Sequence, residues 1–287
     1  MTDKLKKRLK LVLQLLVAVV AIYFVIGQID VEAFKEQLLA VKPGWLVLAV
    51  LAFNASKILS AFRLNYFFRA LDLKLTEVYN LKLYYLGMLY NQVFPGGIGG
   101  DGYKVYLLNK LHKTPVKNLI GATLIDRISG VVALGFLALL TALLGNTGAL
   151  LQDFAFIIWV GLFLAYPAYY ILVHYLFPTF KKVNHITNLQ ALGVQGFQVL
   201  CAWFLLQSLG VSANPYDYFT LFLISSVAAA LPFSLPGGMG VREGVMVMGA
   251  KLLEVDGNAA VALASLFFII TLFSSLLGAF FVRNFKD

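Results

Sequence analysis

Residues 94–104 read Phe94-Pro95-Gly96-Gly97-Ile98-Gly99-Gly100-Asp101-Gly102-Tyr103-Lys104, and the six residues from Gly97 to Gly102 spell G-x-G-x-x-G, the spacing of a dinucleotide-binding turn. Such a turn works only between a β-strand and a helix, where the helix N-terminus meets a pyrophosphate. Here an apolar helical run, Val78 to Phe94, leads into it. A second copy, Leu235-Pro236-Gly237-Gly238-Met239-Gly240, keeps Pro-Gly-Gly-x-Gly and loses the G-x-G-x-x-G spacing. The shared part is therefore a helix-breaking turn, and the fold follows from where the two turns lie.

The 287 residues are 60% hydrophobic and only 13% charged, beyond the apolar share of a soluble domain, so the composition indicates a polytopic membrane protein. A net charge of +9 could suggest nucleic acid. The lysines and arginines instead gather in short clusters between apolar runs, as cytoplasmic loops require. No nucleic-acid partner is implied. The lone cysteine, Cys201, excludes a disulfide framework or a Cys-based metal site. MTDKLKKRLK followed by Leu11 to Ile26 imitates a signal peptide, but GQIDVEAF after Ile26 offers no small-residue cleavage site, so a retained first span is expected.

A helix needs roughly 20 apolar residues to cross the hydrocarbon core. Eight runs approach that length: Leu11 to Ile26, Trp45 to Leu71, Val78 to Phe94, Leu119 to Leu144, Phe154 to Phe177, Leu189 to Leu209, Tyr218 to Leu235 and Ala259 to Val282. Lys4, Lys6, Lys7, Arg8 and Lys10 place the N-terminus inside, and Arg63, Arg69 and Lys74 bring the second run back. A conflict follows. Val78 to Phe94 starts inside, yet Lys104, Lys110, Lys113 and Lys117 beyond the glycine loop also belong inside. A re-entrant hairpin resolves it: the chain turns at PGGIGGD, and a short helix from Gly102 to Leu111 returns. The outer loops GNTGALLQD and GVSANPYD then carry no basic residue, and the second glycine loop tips a hairpin entering from outside, before a short helix from Val241 to Leu253. Both termini are predicted to be cytoplasmic.

The two Pro-Gly-Gly-x-Gly turns lie 141 residues apart, and the same offset superposes Leu11 to Ile26 on the run from Phe154 and Leu119 to Leu144 on Ala259 to Val282. The sequence thus reads as two membrane repeats, 1–150 with a re-entrant loop at 94–102 and 151–287 with a re-entrant loop at 235–244. The expected fold is all-α, with two inverted-topology repeats, six full transmembrane helices and two re-entrant hairpins. Inverted repeats with broken helices at matching positions point to a transporter site near the midplane, since irregular backbone at that depth must be buried or line a wet cavity. The plainer alternative is a symmetric scaffold whose prolines and glycines only break helices.

Charges that no loop accounts for are Lys57, Asp101, Asp126, Arg127, Arg242 and Glu243. Each costs about 2.5 to 3.5 kcal/mol at the bilayer centre and so needs a partner, water or the interface. Asp126 and Arg127 point about 100° apart on a helix and should reach different partners. Arg127 could hold a lipid phosphate with its planar fork, or pair with Asp101. Arg242 follows the second glycine loop at a helix start, where an anion is favoured. Glu243 could couple an ion or compensate the helix dipole, and Asp101 reads first as the N-cap of the Gly102 to Leu111 helix. Asn54, Lys57 and Ala61 share one helical face beside Ser56, Ser60 and Arg63, a polar stripe from which Arg63 could snorkel to the cytoplasmic headgroups. Gln195, Gln198 and Gln207 suit interhelical hydrogen bonds or a cavity lining. His112, His174 and His185 are scattered and no catalytic signature is visible, so neither metal, cofactor nor enzyme activity is expected.

Arg63, the segment from Asn91 through Pro95, Gly96, Gly97, Gly99, Gly100 and Asp101 to Gly102, Asp126-Arg127-Ile128-Ser129-Gly130, and Leu235 through Pro236, Gly237, Gly238 and Gly240 to Glu243 occur in this order. Together they resemble the lysylphosphatidylglycerol synthase transmembrane (flippase-like) family, the membrane half of bacterial multiple peptide resistance factors. The resemblance covers nearly the whole chain. It implies an inner-membrane protein that moves an anionic or aminoacylated phospholipid, or a polyprenyl-linked lipid, between leaflets. The synthase domain of bifunctional members is expected to be missing, because the chain stops five residues after Val282. Arg127, Arg242, Arg63, Lys104 and Asn91 would contact the headgroup. Asp101, Asp126 and Glu243 would gate or couple an ion. Lys104 stands where the family commonly has arginine, which weakens bidentate phosphate recognition there. A lipid-synthesising enzyme and a second copy of the chain are the partners to consider. The rival functions are a membrane subunit of a lipid-modifying transferase and a scaffold for envelope-lipid synthesis.

Overall fold

The computed structural model describes Glu32, Lys35 and residues 39–93, 98–147, 152–230 and 240–285. The first apolar run, Leu11 to Ile26, and both loop tips, with Pro95, Gly96, Gly97, Pro236, Gly237 and Gly238, lie outside the described residues. The described chain is helical throughout. Its α-helices are α1 (Pro43–Arg69), α2 (Glu77–Val93), α3 (Gly99–His112), α4 (Val116–Leu144), α5 (Ala155–Leu176), α6 (Asn184–Ser208), α7 (Pro215–Ala229), α8 (Val241–Leu252) and α9 (Gly257–Leu276). Short 3-10 segments occupy Gln152–Phe154, Pro178–Val183 and Leu277–Phe285.

Local chemistry sets these boundaries. Pro43 and Pro215 begin α1 and α7, where a helix has no use for the missing N–H. Lys113, in the left-handed region at φ 57°, ends α3, and Pro115 directly precedes α4. Asp72, with φ 61°, turns the chain between α1 and α2.

Length divides the helices into two kinds. Five segments are long and apolar enough to cross a membrane: Pro43–Arg69, Val116–Leu144, Ala155–Leu176, Pro178–Ser208 and Gly257–Phe285. These are five of the six full spans predicted; the sixth falls on Leu11 to Ile26. By contrast α2, α3, α7 and α8 have 17, 14, 15 and 12 residues. At 1.5 Å per residue they reach only about 18 to 26 Å, short of a core of about 30 Å. α2 packs on α3 and α7 packs on α8, as the arms of two hairpins would.

The 141-residue spacing reappears in the element boundaries. Moved by 141, α1 falls on 184–210, α3 on 240–253 and α4 on 257–285, against observed elements at Asn184–Ser208, Val241–Leu252 and Gly257–Phe285. α1 and α6, which correspond under this shift, form the most extensive helix contact of the described residues.

Two clusters make the core. One gathers Phe53 of α1 with Leu205, Phe222 and Phe267, and the other joins Leu64, Phe67, Leu83, Leu108 and Leu119. α5 stands at the edge, with Phe156, Phe163 and Tyr175 about three-quarters exposed, a surface suited to lipid.

The starts of α3 and α6 differ from the sequence expectation in an informative way. α3 begins at Gly99 instead of Gly102, because its glycines are already helical. α6 begins at Asn184, five residues before the apolar run, and carries the polar residues His185, Thr187 and Asn188 in its first turns. A search by apolarity stops short of both.

Candidate functional site

The side chains of α1, α3 and α4 meet in a buried charge network. Arg63 is 5% exposed. Its Nε donates to Asp126 Oδ1 at 2.8 Å and its Nη2 to the Asp126 carbonyl at 3.2 Å. The expected snorkelling of Arg63 is therefore corrected: a carboxylate on the neighbouring helix satisfies it in place. One guanidinium nitrogen, Nη1, stays buried without a partner.

Arg127 turns the other way, as the helical geometry required. Its Nε donates to Asp101 Oδ2 at 2.5 Å, while Lys104 Nζ donates to Asp101 Oδ1 at 3.0 Å. Lys104 also lies 4.8 Å from the Tyr84 ring centroid. Of the two roles open to Arg127, the ion pair is the one present. Three cations thus surround two carboxylates across three helices.

Asp101 is not the N-cap predicted for it. It sits in the first turn of α3, and Asn91 Oδ1, at the end of α2, accepts the Gly100 N–H at 2.7 Å. That bond closes the hairpin arms on each other and uses the Asn91 oxygen assigned to a headgroup. Backbone contact tightens the junction. A β-carbon at Gly100 would overlap the Gly87 carbonyl, and one at Gly87 would collide with the Lys104 side chain. Gly87 therefore leaves room both for α3 and for Lys104 on its way to Asp101.

The second hairpin carries different chemistry. Arg242, on the first turn of α8, is 8% exposed, and its Nε has no hydrogen-bond partner. Its Cζ lies 4.9 Å from the centroid of Phe267. Glu243 turns back so that Oε2 accepts the Gly240 N–H at 2.7 Å, a bond across the left-handed Gly240 at φ 78°. Glu243 therefore closes its own helix start, the plainer of its two predicted roles. Moved by 141 residues, Asp101 falls on Arg242: the two hairpins hold opposite charges at the corresponding place.

Lys57 stands near the middle of α1, about 21 Å from Pro43 and about 18 Å from Arg69 along the axis. Its Nζ is 4.6 Å from the centroid of Phe53. Phe53 in turn meets Phe267 edge-on, with centroids 5.4 Å apart. The two cations therefore rest on a shared pair of rings. Such a contact supplies up to about 2 kcal/mol when desolvated, less than the cost of about 2.5 to 3.5 kcal/mol of holding a charge at membrane depth. The rings offset only part of that cost.

The polar stripe predicted on α1 is not continuous. Ser56 and Ser60 donate to carbonyls of their own helix, Phe53 O at 2.6 Å and Ser56 O at 2.8 Å, the local bonding favoured by hydroxyls in an apolar helix. Asn54 instead ties three helices. It accepts from Tyr85 Oη at 2.8 Å and donates to Ser274 Oγ at 3.1 Å. Gln195 Nε2 reaches the Gly130 carbonyl at 3.5 Å, an interhelical bond. Among the described residues no group of three His, Cys, Asp or Glu side chains comes close enough to hold a metal ion.

Sequence reasoning singled out Lys57 as an unexplained charge without joining it to Arg242. It missed Phe53 and Phe267 altogether. With 24 phenylalanines in the chain, nothing in the sequence marks these two.

The site as built can hold an anion. The described part of it contains the buried cations Arg63, Lys104 and Arg242. The family model described as the lysylphosphatidylglycerol synthase TM region matches residues 11–278. The chain belongs to that family. It is a multi-pass membrane protein, and the family ties it to the handling of membrane lipid. No curated protein matches the chain.

Proposed function

We propose that this chain moves a lipid between leaflets, in the manner of a flippase or scramblase. The lipid carries a phosphate: an anionic or aminoacylated phospholipid, or a polyprenyl-linked lipid. The observation that carries this reading is Arg242, a nearly buried guanidinium with an unpartnered nitrogen, on a helix too short to span and seated over Phe267 of the spanning helix α9. A structural cation needs a counter-ion, whereas a transport site must leave its charge open until the substrate arrives. The two glycine loops would let the hairpins shift between inward and outward arrangements. The halves would have opposite orientation, in the inner membrane, with both termini cytoplasmic. The protein would act without catalysing a covalent step.

The test is leaflet exchange of fluorescent phosphatidylglycerol and polyprenyl-phosphate analogues in liposomes containing the purified protein. Exchange of at least one of these above the protein-free rate, reduced by Arg242→Ala, is the expected result. If no lipid exchanges, the chain becomes a membrane subunit or scaffold for a lipid-modifying transferase, the reading that the synthase in the family's description would favour.

A further inference from the structure

Two cations, Lys57 near the middle of α1 and Arg242 in the first turn of α8, have no carboxylate within ion-pair distance among the described residues, whereas Arg63, Lys104 and Arg127 all do. Both rest on phenylalanine rings, and those rings touch. Glu243, next to Arg242 in sequence, turns its carboxylate to Gly240. Two cations seated on touching rings also repel one another. Arg242 is buried and Lys57 only partly exposed, and holding an unpaired charge away from water is costly, two on touching rings more so. An anion lying between them would remove both penalties.

We propose that Lys57 and Arg242 together form the anion site, and that it takes a terminal phosphate, a phosphomonoester or diphosphate, in preference to a phosphodiester. A phosphodiester carries one negative charge and leaves one cation unpaired. A terminal phosphate carries about −2 at neutral pH and satisfies both. An aminoacylated phosphatidylglycerol, with its added amines, would be repelled by the pair. Arg242 presents the planar fork suited to phosphate oxygens, while Lys57 supplies a point charge from the opposite half. Arg63, Arg127 and Lys104, already engaged by Asp126 and Asp101, become structural cations. The site narrows the lipid in the transport reading and rests on that reading only for the identity of the phosphate's carrier.

The test uses the full chain in a neutral detergent, with binding followed by calorimetry and by thermal stability. The probes are dodecyl phosphate, farnesyl diphosphate, dioctanoyl phosphatidylglycerol and inorganic pyrophosphate. The two lipid-borne terminal phosphates should bind at least ten-fold more tightly than the phosphodiester. Lys57→Met and Arg242→Gln should each weaken them at least ten-fold. Without ligand, both variants should melt no lower than the parent, because each removes an unpaired charge. Arg127→Gln should melt lower and still bind. Pyrophosphate binding as tightly as farnesyl diphosphate, with the same dependence on Lys57 and Arg242, keeps the site and assigns it to free phosphate. Equal affinity for phosphatidylglycerol, or binding indifferent to both variants, overturns the proposal. So does a lower melting point in both variants with binding unchanged. Leaflet exchange separates the two readings: phosphatidylglycerol exchange that persists in both variants sinks this site and spares transport, while binding without exchange of any lipid does the reverse.

Discussion

Asp101 Oδ2 accepts from Arg127 Nε at 2.5 Å, a contact that fastens the first turn of α3 to the middle of α4 across 26 residues of sequence. With Lys104 on its other oxygen, Asp101 serves two cations. Asp101→Asn should break both ion pairs, at a cost of about 2 to 4 kcal/mol, near the low end for a broken buried pair because Arg127 is about a third exposed. Asp101→Asn combined with Arg127→Gln should recover part of that loss. Thermal unfolding in detergent of the two single variants and the double variant measures the coupling, and strict additivity would show that the pair contributes nothing.

Asn54 ties α1 to α2 and α9 through polar bonds. Asn54→Ala removes the acceptor of Tyr85 Oη and a donor to Ser274 Oγ, leaving hydroxyls in apolar surroundings. The expected destabilisation is about 1 to 3 kcal/mol. Asn54→Ala with Tyr85→Phe should cost less than the sum of the two single variants, which the same melting experiment reads.

Gly100 and Gly102 lie two residues apart on α3 and should respond oppositely to alanine. The β-carbon at Gly100 meets the Gly87 carbonyl, whereas nothing lies within 4 Å of one at Gly102. Gly100→Ala should destabilise the hairpin by about 1 to 3 kcal/mol through overpacking of rigid backbone. Gly102→Ala should be neutral or stabilising by up to about 1 kcal/mol, the ordinary helix preference. Comparable losses in both variants would mean that α2 and α3 are not in backbone contact.

Topology is open to labelling because Cys201 is the only cysteine and is buried. In a Cys201→Ala background, a single cysteine replacing Lys110 should react with an impermeant maleimide only from the cytoplasmic side. One replacing Glu254 should react only from outside. Lys110 reacting from outside, or Glu254 from the cytoplasm, would remove the inverted arrangement.

Much of the fold was legible because it depends on counting: five runs of sufficient length became spans, and the runs broken by Pro-Gly-Gly became the short arms α2, α3, α7 and α8. Charges rare enough to be noticed, such as Asp126 and Arg127, proved to be in the network. Their partners were harder. The Asp101–Arg127 pair could be weighed because both residues stood out, but the Arg63–Asp126 pair spans 63 residues, and for Arg63 the sequence favoured snorkelling to the interface. Backbone contact between Gly87 and Gly100 leaves no pattern at all, since it is a property of two helices brought together and not of either sequence. The same is true of the rings beneath Lys57 and Arg242.

The correspondence of Asp101 with Arg242 bears on how such a chain can have arisen. Two hairpins of the first kind would carry an aspartate at both places, each held by its own lysine and arginine. Neither would present an unclaimed guanidinium. Joining two copies in one gene lets a single position change on one side only, so a symmetric frame acquires one site and a distinction between its ends. Arg242→Asp, in those terms, would make the two hairpins alike at this place and remove the distinction between them.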